Sequence, residues 1–144
     1  MKKIALIITA LAGFTSFNST LANAQGQFCP WWVDGKWTAY QRNEGTSIPI
    51  NINLRQNRQF FSGTAFTPSV GSGRVNGNVN NNDFVMIIEW KNGIRAAYNG
   101  TIHPIWQGNT QTIILEGTSY DAANPFTRYQ WWRGIPVWYH CYPN

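Results

Sequence analysis

Hydrophobic and polar positions alternate with a period of two along much of this chain, most clearly where Ile48, Ile50, Ile52 and Leu54 are separated by Pro49, Asn51 and Asn53. A segment with one apolar and one wet face forms a β-strand. Pro49 has no N–H for a ladder, which places it near an end or at an edge-like position of that strand. Residues 84–102 read as two more strands joined at Asn92-Gly93, a dipeptide suited to the positive φ angles of a two-residue type I′ turn. Ahead of that turn Phe84, Met86, Ile88 and Trp90 share one face and Val85, Ile87 and Glu89 the other. A strand apolar on both faces belongs inside a closed or doubly covered sheet.

The remaining pattern supplies further short strands at residues 37–42, 59–66, 74–78, 112–118 and 127–133, the last carrying Tyr129, Trp131 and Trp132. Gly63, in the middle of its strand, suggests a bulge or sharp coil of the kind closed sheets use at corners. Turn clusters separate the strands, and residues 103–110, with Pro104, Trp106 and Gly108, read as a loop. Residues 25–34 form a lead-in, and the tail at 137–142 either adds a ninth strand or lies across the mouth. No stretch beyond residue 24 keeps a helical period. The expected fold is all-β, an antiparallel up-and-down barrel of about eight strands. A barrel of that size is filled by side chains or holds one small ligand.

The ends of the chain add a compartment and a staple. Lys2 and Lys3 precede an apolar run from Ile4 to Leu11, and Ala22-Asn23-Ala24 offers small residues to a signal peptidase. Residues 1–24 are therefore expected to be a signal peptide, with the apolar run shorter than the roughly 20 residues that span a bilayer. Residues 25–144 then form a single barrel domain of 120 residues (144 less 24). The expected location is periplasmic or secreted, with no membrane span after cleavage. Cys29 and Cys141 are the two cysteines, and export favours a disulfide that ties the ends together. Without Lys2 and Lys3 the chain carries nine Lys and Arg against six Asp and Glu, a net of +3. These cations are scattered and form no run, which excludes a nucleic-acid surface.

Several fragments carry a resemblance: Gly35-x-Trp37 on the first strand, Gly63-Thr64, Thr67, Val70-Gly71, then Trp90-Lys91-Asn92 and Arg95. Together they resemble the calycin group of barrels, which includes the lipocalins, and within it the avidin and streptavidin family. The resemblance implies a pocket at the barrel mouth with Trp90 as its ring and Thr67 as a hydroxyl. It puts the biotin ureido partners at Ala39 and Ala65, and a polar pair at Asn99 and Thr101. The family's late aspartate has no counterpart, since residues 127–144 contain no acid. Alanines there would strand the polar groups of a buried urea at about 1–3 kcal/mol each, so biotin itself is not expected. The lipocalin side of the resemblance implies a structural cation over the Trp37 ring, from Arg128 or Arg133.

The same alternation turns Trp37, Ala39, Phe61, Ala65, Met86, Ile88, Trp90 and Ala97 inward, with Thr67, Asn99 and Thr101 as the polar minority. Two readings of that interior stand: a filled core, or a slot for a small apolar or aromatic molecule bound by Trp90, Ala65 and Ala39 and oriented by Thr67, Asn99 and Thr101. A second candidate surface is aromatic. Trp31, Trp32, Trp106, Trp132, Trp138 and Tyr139 exceed what one barrel interior holds, and an exposed cluster of them suits a protein or carbohydrate partner. Val85, Ile87 and Tyr98 on the hairpin's second face are the candidate homo-oligomer contact. Catalysis finds little footing. His103 and His140 stand alone, no nucleophile motif is present, and Glu89 and Glu116 are expected to be solvated or paired with cations. No motif requires a metal or cofactor.

Overall fold

The computed structural model describes residues 28–142, and the signal-peptide reading lies outside them. The strands are β1 (Trp31–Trp32), β2 (Gly35–Asn43), β3 (Thr46–Asn57), β4 (Phe60–Thr67), β5 (Gly71–Asn80), β6 (Asp83–Trp90), β7 (Arg95–Gln107), β8 (Thr110–Asp121), β9 (Asn124–Arg133) and β10 (Trp138–Tyr139). Strands β2 to β9 are each antiparallel to the next, and β9 returns to β2, with Ala39 opposite Arg133 and Arg42 opposite Gln130. This is the closed eight-stranded barrel that the alternation requires. The ends meet in a ribbon, where Trp31 faces Tyr139 and Trp32 faces Trp138. Beside it Cys29 and Cys141 form the disulfide. The tail therefore pairs with the lead-in at the closed end and does not cross the mouth.

Pro49 sits where β3 has run past its ladder with β4, which begins at Asn51 opposite Phe66. Its carbonyl accepts a hydrogen bond from the Thr67 hydroxyl at 3.0 Å. The segment expected to be a loop at 103–110 is instead the overhanging hairpin of β7 and β8, with Pro104 opposite Ile113 and Gln107 opposite Thr110. Proline is tolerated there because the neighbouring N–H on that edge, Ile102, already bonds the Asn82 carbonyl at 2.8 Å, where β6 has ended. Pro104 faces the same edge with no strand to receive a donor. Gly63 marks a close approach of strands without a bulge: its register is unbroken, and a Cβ there would collide with the Asn53 carbonyl.

The turns differ from expectation in one consequential place. At the hairpin of β6 and β7, Gly93 has a φ of 86° while Asn92 is not among the positive-φ residues. Gly93 N–H donates to the Trp90 carbonyl at 3.0 Å, and Trp90 N–H to that of Ile94 at 2.8 Å. This is a three-residue loop, Lys91 to Gly93, ending in a left-handed glycine. The two-residue turn with both central φ angles positive is Glu44-Gly45, at 46° and 83°.

The interior has two halves. Toward the closed end it is filled: Phe61 stacks on Phe84 with centroids 5.1 Å apart, and Phe84 meets Trp131 at 5.5 Å. Trp131 is 1% exposed and its indole N–H is shared between the carbonyls of Asn99 and Thr118 at 3.2 Å each. Glycines make room for these rings, for a Cβ on Gly77 would collide with Phe61. Trp37 plugs the base, its indole N–H donating to the Val33 carbonyl at 2.8 Å. Arg133, of the two candidates, supplies the cation over its ring at 4.8 Å, and lies 5.4 Å from the Trp138 ring. Burial pushes the guanidinium down to about 10, still far above neutrality, so it stays charged.

Candidate functional site

Toward the other end the side chains do not fill the barrel. Four hairpin turns rim an open cup of about 340 Å³, walled by Trp90, Ile50, Ala96, Tyr129 and Thr67. Inward positions of β2, β7 and β8 bring Gln41, Tyr98 and Ser119 together in it. The Tyr98 and Ser119 hydroxyls both donate to Gln41 Oε1, at 3.0 and 3.1 Å. With its oxygen doubly engaged, the Gln41 carboxamide has its nitrogen left as the donor for a guest. Burial holds the Tyr98 phenol above its ordinary pKa, because the phenolate would be poorly solvated there. Thr67 commits its proton to Pro49 and keeps oxygen lone pairs for a donor. Among the described residues that line the cup, Asp121 at the rim alone carries a formal charge.

Trp90, 7% exposed, and Thr67, 3% exposed, are at the cup as the sequence pattern places them. Ala39 and Ala65 point inward but lie deeper, buried beneath it. Asn99 and Thr101 are a correction. Ile88 stands opposite Ala96 and Met86 opposite Tyr98, so Ala96, Tyr98 and Ile102 face the interior while Ala97, Asn99 and Thr101 face outward. The cause is the extra loop residue before β7, since a slip of one residue turns every side chain of a strand to the other face. Tyr98 is likewise removed from the outer face of the hairpin, which carries Val85, Ile87 and Ala97. Gln41, Tyr98 and Ser119 are the site residues that sequence reasoning missed. The signal was present: Ala96, Tyr98 and Ile102 alternate with the polar Asn99, Thr101 and His103.

The aromatic candidates divide into three groups. Trp31, Trp32, Trp138 and Tyr139 are gathered by the terminal ribbon, with Trp31 edge-on to Tyr139 at 5.7 Å and Trp32 at 4.7 Å from the His140 ring. Trp132 lies on the outer wall, stacked on Tyr40 at 5.8 Å and near Arg42. Trp106, 66% exposed, is on the overhanging hairpin. Of the titratable groups considered for catalysis, three are on the outer wall, His103 Nε2 beside Glu116 at 3.1 Å and Glu89 at 4.0 Å from Arg95, while His140 lies at the terminal ribbon against Trp32.

Comparison of the chain with protein-family models, with characterised proteins and with solved structures finds no match. The closed eight-stranded antiparallel barrel is consistent with a calycin-like fold, and the likeness to avidins rests only on the residues quoted above.

Proposed function

We propose that this protein is an exported binding protein whose barrel mouth takes one small, uncharged, mainly apolar or aromatic molecule. The observation that carries this reading is the cup itself, open at the rim, walled by Trp90 and Ile50, and fitted with a fixed polar group at Gln41. Its volume lies in the range of small-molecule sites. Affinity comes from apolar surface removed from water, at about 25 cal/mol per Å². Orientation comes from the Gln41 amide nitrogen, which a guest with a carbonyl or ether oxygen satisfies. A guest without an acceptor leaves that donor unpaired, a penalty of about 1–3 kcal/mol. The buried alanines beneath the cup, Ala39 and Ala65, offer a urea nothing to bond, so biotin is not the proposed ligand. Export through residues 1–24 to the periplasm or medium belongs to the same reading. The Cys29–Cys141 disulfide supports it, being the form cysteines take in an oxidising compartment.

The test uses a neutral aromatic ketone, 6-propionyl-2-(dimethylamino)naphthalene, which brings a carbonyl acceptor and whose emission rises on leaving water. Saturable emission is expected with the oxidised protein, with apparent affinity falling tenfold or more in Trp90→Ala and unchanged in Trp106→Ala. Absence of binding, or equal binding by Trp90→Ala, contradicts the proposal.

A further inference from the structure

The closed end of the barrel has a groove of its own, and it differs from the mouth in chemistry. It measures about 680 Å³ and is bounded by the terminal ribbon on one side and by the turns β3–β4 and β5–β6 on the other. Four rings line it, Phe28 beside the disulfide and three from the strands. Trp31 comes from β1, Tyr139 from β10 and Phe60 from the start of β4. Tyr139 is 62% and Phe60 60% exposed, so these rings already present their surfaces and nothing need open to reach them.

Between the rings lie carboxamides. The outward positions of β5 near its end are Asn78 and Asn80, and Asn81 and Asn82 form the turn to β6. Asn81 has a φ of 51°, a left-handed conformation that asparagine adopts more readily than most residues. Gln59 closes the far side, its carbonyl accepting the Val79 N–H at 2.8 Å. The platform is fixed in place. Trp31 Nε1 donates to Asn82 Oδ1 at 2.9 Å, Tyr139 packs against the Trp31 ring, and the disulfide anchors both strands of the ribbon.

No Asp, Glu, Lys, Arg or His is among the described residues that line this groove. The combination narrows the occupant. Arg58 of the β3–β4 turn lies over the Phe28 ring at 5.0 Å, but a single cation is too little to hold an anionic polymer. A hydrocarbon guest would strand the amides, each with two donors and an acceptor. A neutral sugar satisfies both demands: its hydroxyls pair with carboxamides, and the C–H face of its ring packs on an aromatic ring. We infer that the closed end is a second binding site, independent of the mouth, for a neutral oligosaccharide held between Trp31, Tyr139 and Phe60 and hydrogen-bonded by the amides of Asn78 to Asn82.

The experiment is a nuclear magnetic resonance titration of the full oxidised protein with soluble neutral oligosaccharides of glucose, mannose, galactose and N-acetylglucosamine type. At least one series is expected to shift the Trp31 indole N–H and the Asn80, Asn81 and Asn82 amides saturably. Tyr139→Ala should weaken that binding tenfold or more. Phe60→Ala, on a different element, should do the same, so the test survives if the first substitution loosens the ribbon. Trp106→Ala, exposed but outside the groove, should leave it unchanged. The inference is overturned if no series shifts these resonances, or if binding persists in both Tyr139→Ala and Phe60→Ala. It is equally overturned if sugar binding is confined to the mouth and abolished by Trp90→Ala alone, an outcome that leaves the mouth as a site in its own right.

Discussion

Gly100 and Trp131 share one volume inside the barrel. A Cβ on Gly100 would lie 2.9 Å from both Trp131 Cζ2 and Leu115 Cδ1, closer than atoms of a packed core tolerate. Gly100→Ala is therefore expected to lower the unfolding free energy by about 1–3 kcal/mol through overpacking, as read from denaturant midpoints. A second consequence at this scale concerns Tyr98. Its phenol has a raised pKa in the folded state because of burial, against 10.0 for the ordinary group. The neutral form is the one the fold accepts, so the contribution of this group is fully present below pH 10.0 and is lost as pH rises above it, when the unfolded chain ionises first. Unfolding free energies measured from neutral to strongly alkaline pH should fall more steeply in the native protein than in Tyr98→Phe. Parallel profiles would contradict the burial. Neighbouring tryptophans show what a sequence withholds at this scale. Trp131 and Trp132 are adjacent on one strand, and only pairing decides which enters the core and which stacks on Tyr40 outside.

At the scale of elements the eight barrel strands were legible because each has at least one strict alternation or a firm turn at its end. What was not legible was the overhang of β7 and β8, whose Pro104, Trp106 and Gly108 read as a loop, and the length of the loop between β6 and β7. Asn92-Gly93 is compatible with a two-residue turn, yet Lys91 joins them, and Ile94 rather than Arg95 receives the Trp90 N–H. That single residue sets which of two alternating sets on β7 faces the core, and so whether the site is built from Asn99 and Thr101 or from Tyr98. Local turn propensity favoured one answer and the burial of Ala96, Tyr98 and Ile102 decides the other, since register follows the apolar face. Replacing Lys91-Asn92-Gly93 by Asn-Gly alone keeps Trp90 opposite Ile94, and with it Ala96, Tyr98 and Ile102 inward. The variant is expected to keep a cooperative melting transition, whereas in a register with Lys91 opposite Ile94 the same deletion would turn every side chain of β7 to the other face; loss of the cooperative transition would refute the register described.

For the whole molecule, closure is achieved twice. Strand β9 returns to β2 by hydrogen bonds, and the disulfide closes a loop of 112 residues in sequence. In the chain-entropy model such a bond contributes about 4–5 kcal/mol, as much as the whole stability of a marginal domain. Cys29→Ser combined with Cys141→Ser should lower the unfolding free energy by up to that amount. The terminal ribbon, short and at the barrel's end, should lose amide-exchange protection before the strands of the barrel do. Protection lost uniformly would show that the ribbon and barrel are one cooperative unit. Cysteine pairing and barrel closure could be read from the sequence because each follows from end positions or strand number. The division into a filled base and an open mouth could not, because it depends on which rings meet which glycines across strands distant in sequence.

The central claim is that the open mouth is a ligand site, and native mass spectrometry of the oxidised protein purified from its own host's export compartment tests it most directly. The account predicts a chain beginning at Gln25, with the disulfide intact and a small uncharged molecule retained, released on denaturation and missing from Trp90→Ala. A chain that carries no small-molecule mass, and instead travels with a partner protein, would contradict it.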